Sequence, residues 1–393
     1  MAKGIYVGVN GVARKVKKVY IGTGNVARKV KKGYIGVGGV ARPFWTGGEV
    51  AYYGTATPLS AGCGANAAPA GGYAVFAGGI NALSGGIFTY TRAVDAYSSN
   101  LVKSSAPNLD DDVASFGAAA GSANYAMFAG GIKVLTQSSS SYLPYVYAYG
   151  ASLVKSKLPD LNTGMSYFAG AKAGDCIIFA GGYNGQVFAD VYLYNASLVR
   201  STSTLPIAKY RHVAAGIGNN AIFAGSAAAG ANTQVYSCSM SLVMTRLADL
   251  SAVMTAYVAS ATCVGNYALF GSHQSSSVNV MDVYNSSLVK SSATPLSADC
   301  GGKSAASAGD FAFFGGGGNP DYGNGSSVVC AVDTYNSSLV KSVSGAYKLS
   351  SYRYPSDNKM MATVAAGDKV LFGGGNNLSS SDWPSQTVDV FTT

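Results

Sequence analysis

A seven-bladed β-propeller is the fold that this sequence predicts, and three observations predict it. A unit of about 44 to 56 residues recurs seven times along the chain. Each unit contains short β-prone runs separated by turn residues, and no part of the chain shows helical periodicity. The repeat therefore predicts an all-β protein in which four-stranded units are arranged in a ring.

The chain begins with a different, shorter repeat. Tyr6, Tyr20 and Tyr34 recur every fourteen residues, in units that read like GIYVGVNGVARKVKK. Pairs such as Asn10-Gly11 supply the positive φ angles of a two-residue hairpin turn. We expect a small meander of three hairpins over residues 4–42, followed by a linker at residues 43–48. A meander with so little core should need a partner or self-association, which keeps a homo-oligomer open.

Charge divides the chain at the same place. Residues 1–48 carry ten Lys or Arg and no acid, whereas residues 49–393 carry seventeen Lys or Arg and eighteen acids. The basic clusters admit an anionic partner, such as nucleic acid or a cell-wall polymer. They also admit solvated strand faces whose lysines discourage edge pairing. We favour the second interpretation and expect no nucleic-acid partner. The leader, residues 1–48, has these candidate docking residues: Arg14, Lys15, Tyr20, Arg28, Lys29 and Tyr34.

From residue 49 each repeat unit carries signals for four strands, A to D. Strand A is a run of small residues such as Val213 to Gly216, and strand B is an apolar run ending in small residues. Strand C follows a Val-x-x-Tyr pattern, as in Met281 to Tyr284. A turn then leads to Leu-Val and usually to Lys or Arg, as in Leu288 to Lys290, where strand D begins.

The ends of the repeat predict how the ring closes. The last unit stops at Val388 to Thr393, which supplies strand C and leaves strand D missing. Residues 50–60, VAYYGTATPLS, align without gaps on residues 287–297, which form a strand D segment. We therefore expect the N-terminal segment to complete the seventh blade, since closure removes the exposed sheet edges.

An aliphatic strand ending in Gly-Gly, followed by a Val-Asp-x-Tyr strand, resembles the Kelch repeat family. The resemblance covers residues 50–393 and implies a divergent Kelch-like propeller. The sequence departs from the family in two respects. Leucines stand near the place of the usual outer-strand Trp, and the Gly pair is incomplete at Gly225-Ser226 and Gly271-Ser272.

The sequence contains few residues suited to catalysis or metal binding. Its two histidines are His212, at the start of a strand A, and His273, in a loop after a strand B, and they have no ligand spacing. The six cysteines form no CxxC motif and are expected to be free thiols. Asp110 to Asp112 could bind calcium, but a solvated turn is preferred. We predict no enzymatic activity, no metal and no cofactor.

Targeting signals are also absent from the sequence. No run approaches the roughly 18 apolar residues of a membrane helix. The start MAKGIYVGVNG lacks the apolar core of a secretory signal peptide. We expect synthesis in a host cytoplasm without membrane insertion.

The loops between strands B and C are the main break in the repeat. They run about 8 to 9 residues in units three to five and about 13 to 15 in units six, seven, one and two. The long loops should lie next to one another on one face, together with the long connection at residues 342–359. Long loops on a rigid scaffold commonly carry binding residues, although unselected drift is the alternative. This loop crescent contains Phe88, Tyr90, Arg92, Tyr142, Tyr145, Asp321, Tyr322, Asn324, Arg353, Tyr354 and Trp383.

The leader units resemble short repeats of phage or prophage structural proteins of Gram-positive bacteria. That resemblance implies a virion protein of a tail, baseplate or fibre. Its leader would dock to other virion proteins, and its propeller would bind a host-surface glycan or protein. Two alternatives stay open: an intracellular Kelch-like adaptor, and a capsid decoration protein without receptor binding.

Overall fold

A computed structural model shows a chain built from β-strands, with no helix among the residues it describes. Those residues are 6–9, 12–15, 20–23, 26–29, 33–37, 40–45, 50–60, 66–84, 87–111, 113, 117–136, 139–254, 259–275, 278–297, 303–317, 331–342, 346–351, 361–375 and 385–393. The predicted all-β fold class is confirmed.

Seven four-stranded antiparallel sheets form the propeller, and each is one blade. In A-to-D order, blades 1 and 2 are Asn66–Ala70, Tyr73–Ala77, Val94–Tyr97, Lys103–Ala106, and Ala118–Gly121, Tyr125–Ala129, Val146–Gly150, Lys155–Leu158. Blades 3 and 4 are Ala169–Ala173, Cys176–Ala180, Asp190–Tyr194, Arg200–Thr204, and Val213–Ile217, Asn220–Ala224, Val235–Ser239, Met244–Leu247. Blades 5 and 6 are Ala259–Val264, Tyr267–Ser275, Val278–Asn285, Lys290–Ser292, and Ser304–Ala308, Phe311–Gly315, Ala331–Asn336, Tyr347–Lys348. Blade 7 is Met361–Ala366, Lys369–Gly374, Val388–Thr392 and Ala51–Ala56.

The predicted ring closure is confirmed. Strand D of blade 7 is the N-terminal segment Ala51–Ala56, which pairs antiparallel with Val388–Thr392 from Ala51 opposite Thr392 to Ala56 opposite Val388. The neighbouring inner strands also contact each other all the way around, including those of blades 7 and 1. The first and last segments of the repeat region therefore share one sheet.

The leader strands form three separate hairpins: Tyr6–Val9 with Val12–Lys15, Tyr20–Thr23 with Val26–Lys29, and Gly33–Val37 with Val40–Trp45. Each predicted hairpin is present. The predicted continuous meander is wrong for the strands described, because no hairpin pairs with the next. The predicted linker is also wrong at residues 43–45, which belong to the last strand. The pairing inside each unit satisfies only the inward-facing backbone groups of its two strands and specifies no partner for the outer edges.

Small residues are required in the inner strands because these strands converge on the ring axis. A Cβ atom added to Gly216 would lie 2.1 Å from the carbonyl oxygen of Lys172 in the neighbouring blade. One added to Gly121 would lie 2.2 Å from the carbonyl oxygen of Pro69. The Ala- and Gly-rich strand A therefore reflects close backbone approach between blades.

The Gly pair at the end of strand B joins consecutive blades. Gly131 N–H donates to the Met165 carbonyl at 2.8 Å, and Gly182 N–H donates to the Lys209 carbonyl at 2.8 Å. Both glycines adopt positive φ, which a residue with a Cβ would reach only with strain. The motif that suggested the Kelch resemblance is thus a backbone link to the next blade.

The turn between strands C and D holds a leucine in the left-handed region. Leu288 has φ 62° and donates its N–H to the Asn285 carbonyl, while its side chain packs against the core between blades 4 and 5. Left-handed backbone costs about 1–2 kcal/mol in a residue with a side chain, and apolar burial offsets this. The Asn285 side chain accepts N–H bonds from Ser287 and Val289, which confirms turn chemistry at the Asn-x-Ser positions. The six equivalent leucines are Leu101, Leu153, Leu198, Leu242, Leu288 and Leu339.

The aspartate of the Val-Asp-x-Tyr strand fastens its blade to the preceding one. Asp282 of blade 5 accepts the backbone N–H and the hydroxyl of Ser251 at 2.8 and 2.7 Å, and it pairs with Lys290 at 3.0 Å. Tyr284 of the same strand donates to the Ala248 carbonyl at 2.7 Å. Ser251 and Ala248 both follow strand D of blade 4, so the repeated motif is an inter-blade fastener. Asp95 with Ser60 and Lys103, and Asp333 with Ser297 and Lys341, form the same arrangement.

Blades 2 to 4 use a different fastener at this position. Tyrosine replaces the aspartate, and a cation of strand D lies over its ring. The distances to the ring centroids are 5.7 Å for Lys155 over Tyr147, 5.8 Å for Arg200 over Tyr192 and 5.2 Å for Arg246 over Tyr236. These distances are within the range of cation–π attraction. In these blades a tyrosine thus replaces the aspartate, and a cation–π contact replaces its ion pair with the strand D cation.

The long loops of blades 1 and 2 each contain a β-hairpin of their own. Ile80–Ser84 pairs with Ile87–Tyr90, and Ile132–Thr136 pairs with Ser139–Tyr142. The corresponding loops of blades 6 and 7 fall largely outside the described residues. Because strands alternate in direction, B–C loops and D–A connections emerge on the same face, which we call the loop face.

Candidate functional site

Four tyrosines and one arginine from three consecutive blades form a cluster on the loop face. We call this group the tyrosine–arginine platform. It consists of Tyr142, Tyr167, Tyr183, Tyr210 and Arg211, all half-buried. Tyr142 ends the long loop of blade 2, and Tyr183 follows strand B of blade 3. The other three lie in the connections that lead into strand A of blades 3 and 4.

Left-handed backbone brings Tyr167 and Arg211 together. Tyr167 has φ 59° and Arg211 has φ 51°, and each lies two residues before its inner strand. The Arg211 N–H donates to the Tyr167 carbonyl at 2.7 Å. Apart from the C–D turn leucines, these are the positive-φ residues other than glycine in the described chain. Such strain costs of order 1–3 kcal/mol per residue and persists only where surrounding contacts enforce it.

Ser226 anchors the backbone of Tyr210. Its hydroxyl lies 3.3 Å from both the Tyr210 nitrogen and the Tyr210 carbonyl oxygen, and it accepts the Ala228 N–H at 2.9 Å. The Ser226 N–H also donates to the Met254 carbonyl, as the second glycine of the pair does elsewhere. Serine at this position therefore keeps the inter-blade link and adds a hydroxyl that positions the platform.

Tyr183 is held by a short bridge to the neighbouring connection. Its N–H donates to the Ser166 carbonyl at 2.9 Å, and the Ser166 N–H donates back at 3.0 Å. Its ring stacks on Tyr210 at 5.0 Å with an interplanar angle of 25°, and it meets Tyr142 edge-on at 6.4 Å. Tyr183 is thus the centre of the platform, in contact with rings from both neighbouring blades.

Burial and neighbouring side chains keep the Tyr142 phenol neutral beside the Arg211 cation. Burial raises the pKa of Tyr142, the nearby Tyr167 and Tyr183 add to the effect, and Arg211 opposes it. The Tyr142 phenol is therefore protonated at neutral pH and can both donate and accept. The Arg211 guanidinium carbon lies 4.8 Å from the Tyr167 ring centroid and 5.8 Å from that of Tyr210. Arg211 thus supplies the positive charge of the platform.

Lys209, immediately before Tyr210, is fully buried. Its ammonium donates to the carbonyls of Gly225, Ala231 and Gln234 at 2.9, 3.1 and 2.9 Å. These carbonyls belong to the loop after strand B of blade 4, so the lysine ties that loop to the connection carrying the platform. Burial lowers the pKa of Lys209 from 10.5 to about 8, with Arg246 adding to the effect and Asp249 opposing it.

Lys209→Met is expected to change how stability depends on pH. Because the folded pKa lies below the unfolded one, the unfolded chain binds more protons between pH 8 and 10.5, and stability rises with pH there. The variant lacks this gain. The wild-type free energy of unfolding, relative to the variant, should therefore increase by about 2 kcal/mol from pH 7 to pH 9.5 in denaturant titrations. Lys172→Met, which removes an exposed lysine, is the control. Parallel pH profiles for wild type and Lys209→Met would contradict this role.

The structure places five of the loop-crescent residues. Tyr142 joins the platform, whereas Tyr145 packs near Tyr147 at 6.3 Å and beneath Lys157 at 4.7 Å. Tyr90 is half-buried at the end of the blade 1 hairpin, and Arg92 is exposed. Phe88 lies in the same hairpin strand. The remaining candidates lie outside the described residues: Asp321, Tyr322, Asn324, Arg353, Tyr354 and Trp383.

The leader candidates lie on hairpin strands. Tyr20 stands opposite Lys29 in the strand register, and Tyr34 stands opposite Pro43. Arg14 and Lys15 belong to Val12–Lys15, and Arg28 belongs to Val26–Lys29. Their docking role stays a prediction.

Other residues considered for chemistry have structural surroundings. His212 is 1% exposed beside Phe223, so the prediction that it is packed is confirmed, although it directly precedes the strand Val213–Ile217 and does not belong to it. His273 lies within strand B of blade 5, not in a loop as predicted. Asp110 pairs with Lys155 and Asp111 with Lys133, while Asp112 lies outside the described residues. Across the described segments, no three His, Cys, Asp or Glu side chains converge on a possible metal site. No described helix could span a bilayer.

Sequence reasoning missed Tyr167, Tyr183, Tyr210 and Arg211 because they belong to the blades with short loops. Loop length therefore identified only Tyr142 among the platform residues. One signal was available: the Gly pair is broken at Ser226, the residue that anchors Tyr210.

Comparisons with known proteins add little about function. No protein-family model matches the chain, and no curated protein matches its sequence. Among solved structures, 416 chains match. One of them is YjhT, with a TM-score of 0.47 and 11% identity over 86% of this chain and 95% of that chain. At that level of similarity we draw no argument from it, and the propeller assignment rests on the seven blades themselves.

Proposed function

We propose that this chain is a non-enzymatic virion protein of a phage or prophage. Its propeller would bind a ligand on the host surface, and residues 1–48 would dock it to the particle. The observation that supports the binding role is the tyrosine–arginine platform, where left-handed backbone at Tyr167 and Arg211 accompanies aromatic rings and a cation on the loop face. Tyrosine-rich surfaces with few rotatable bonds are typical of recognition sites.

The docking role is supported by the leader hairpins. Each is a two-stranded sheet, and such a sheet is marginally stable by itself in water. Tyr6 stands opposite Lys15, and Tyr20 stands opposite Lys29, so an aromatic–basic pair recurs along the leader. A partner surface on the particle would cover these edges and supply the missing core.

Binding of the purified full-length protein to a panel of intact Gram-positive bacteria tests the receptor-binding role. We expect saturable binding that falls at least tenfold in the Tyr183→Ala, Tyr210→Ala double variant. Tyr53→Ala is the matched control, because Tyr53 is 61% exposed on blade 7 and lies outside the platform. Equal binding by both variants would overturn the role of the platform.

Neighbouring genes test the virion assignment separately. Tail, baseplate or capsid genes beside this one would support it, and their absence would favour an intracellular Kelch-like adaptor. A protein found in particles that binds no cells would instead be a decoration or structural component.

A further inference from the structure

The platform places stacked aromatic rings next to a cation. Tyr183 and Tyr210 present stacked rings, and beside them Arg211 lies over Tyr167 and Tyr210. A ligand that used both would need a flat apolar face and a negative charge within one small group. This requirement narrows the class of ligand that the proposed host-surface site would take.

The chemistry of a guanidinium suits an oxyanion. Arg211 lies over the rings of Tyr167 and Tyr210, which restrict the orientation of its plane, and its Nε atom is buried, so its terminal nitrogens are the donors that would meet a ligand. The N–H donors of these nitrogens match the two oxygens of a carboxylate or phosphate. The Arg211 N–H bond to the Tyr167 carbonyl at 2.7 Å fixes the backbone beneath it. Less side-chain freedom is therefore lost on binding.

The rings suit a saccharide. A pyranose has C–H groups on its faces and hydroxyl groups around its rim, so it can lie on an aromatic ring while its rim bonds to polar neighbours. The half-buried phenols provide that combination, because each has an apolar ring and a hydroxyl that can donate and accept. A simple carboxylic acid would use Arg211 and leave the rings uncovered.

Charge excludes other small ligands. Within the platform, Arg211 is the cationic side chain, and the platform contains no acidic one. A cationic ligand would be repelled by Arg211, and a neutral sugar would leave the guanidinium without an added ion pair. An anionic sugar would gain both contacts.

We propose that the platform binds a saccharide carrying a carboxylate or phosphate group, with the sugar on the tyrosine rings and the anion on Arg211. This inference rests on the proposed function, since it names the ligand class of the same site.

Calorimetric titration of the full-length protein with glucuronate, glucose 6-phosphate, glucose and acetate tests the inference. We expect glucuronate or glucose 6-phosphate to bind at least tenfold more tightly than both glucose and acetate. The two acidic sugars distinguish carboxylate from phosphate as the preferred anion. If glucose bound as tightly as the acidic sugars, the role of the negative charge would be overturned. If acetate bound as tightly as the acidic sugars, the role of the sugar ring would be overturned. No detectable binding of any probe would overturn the ligand class.

Two variants assign the contacts. Arg211→Gln removes the charge while keeping a polar side chain, and it should reduce affinity for the acidic sugar to that for glucose. Tyr183→Leu should weaken acidic and neutral sugars by the same factor. If Arg211→Gln does not fold, Arg211→Lys keeps the charge without the two terminal nitrogens and should lose most of the preference. An unchanged preference in a folded Arg211 variant would overturn the proposal.

The failure of this inference and that of the proposed function are distinguishable. Binding to bacterial cells that depends on Tyr183 and Tyr210, without binding of any probe, would overturn the ligand class and leave the receptor role intact. Selective binding of an acidic sugar without binding to cells would overturn the receptor role and support the ligand class.

Discussion

Deleting residues 49–60 is expected to abolish cooperative unfolding and to make the protein aggregate. This segment is strand D of blade 7, and it also fastens blade 1, because Ser60 bonds to Asp95 and the Thr57 carbonyl accepts the Tyr97 hydroxyl. Val50 and Leu59 are buried within it. Their burial alone stabilises by about 3–6 kcal/mol, which is comparable to the net stability of many domains. The deletion also leaves an open sheet edge.

Thermal unfolding followed by circular dichroism, with light scattering, measures this effect. Tyr53→Ala is the matched control, since it changes an exposed side chain in the same strand and should leave the melting temperature nearly unchanged. An unaltered melting temperature in the deletion would show that the ring does not depend on this strand.

Asp333→Ala is expected to destabilise the protein by about 3–5 kcal/mol, the usual cost of removing one partner of a buried ion pair. Asp333 is 1% exposed and lies 3.0 Å from Lys303, whose side chain is equally buried. It also accepts the Ser297 N–H at 2.9 Å. Its removal would leave a lysine charge in the interior between blades without a carboxylate.

Asp282→Ala is the matched comparison because it removes the same fastener from blade 5. The lysine there, Lys290, has a side chain that is 19% exposed and can reach water. We expect a smaller cost, about 1–3 kcal/mol for the lost hydrogen bonds. Denaturant unfolding of both variants measures the difference, and adding Lys303→Met to Asp333→Ala should recover part of the loss. Equal costs at the two sites would contradict the assigned role of Lys303.

The Asp333 effect should also depend on pH. Burial by itself would raise the pKa of Asp333, but Lys303 and the hydrogen bonds from Ser297 outweigh it and lower the pKa below 3.8. The carboxylate therefore contributes stability above this value, and the contribution is lost as pH falls through the lowered pKa. The difference between wild type and Asp333→Ala should be constant near neutral pH and decrease below about pH 4.

The propeller could be predicted from sequence because the residue patterns of its strands are local and recur in every blade. Strands B and C recur in order. The last strand C, Val388–Thr392, has no strand D after it in the sequence, and residues 50–60 supply that strand, so ring closure follows from counting strands. The Val-Asp-x-Tyr motif was recognised as scaffold, but its action between blades was not. That action depends on Ser251 and Ser297, which lie in connections outside the strands.

The platform could not be predicted in the same way. Tyr142, Tyr183 and Tyr210 are separated by tens of residues and meet only because three blades place them on one face. No local periodicity marks Tyr167 or Arg211 as left-handed, since bulky residues seldom adopt positive φ. The leader shows a related limit. Its turns predict each hairpin, but nothing in a hairpin specifies which edge the next one should pair with.

Because an N-terminal strand closes blade 7, the position of that strand fixes the face of the propeller at which the preceding chain enters. Ala51 lies opposite Thr392, at the end of the blade that carries the C–D turns. The platform lies at the other end of the blades, among the B–C loops and D–A connections. The chain before residue 50 therefore enters the propeller on the face opposite the loop face. If the leader docks to a particle as proposed, the platform lies on the face of the propeller away from that attachment point.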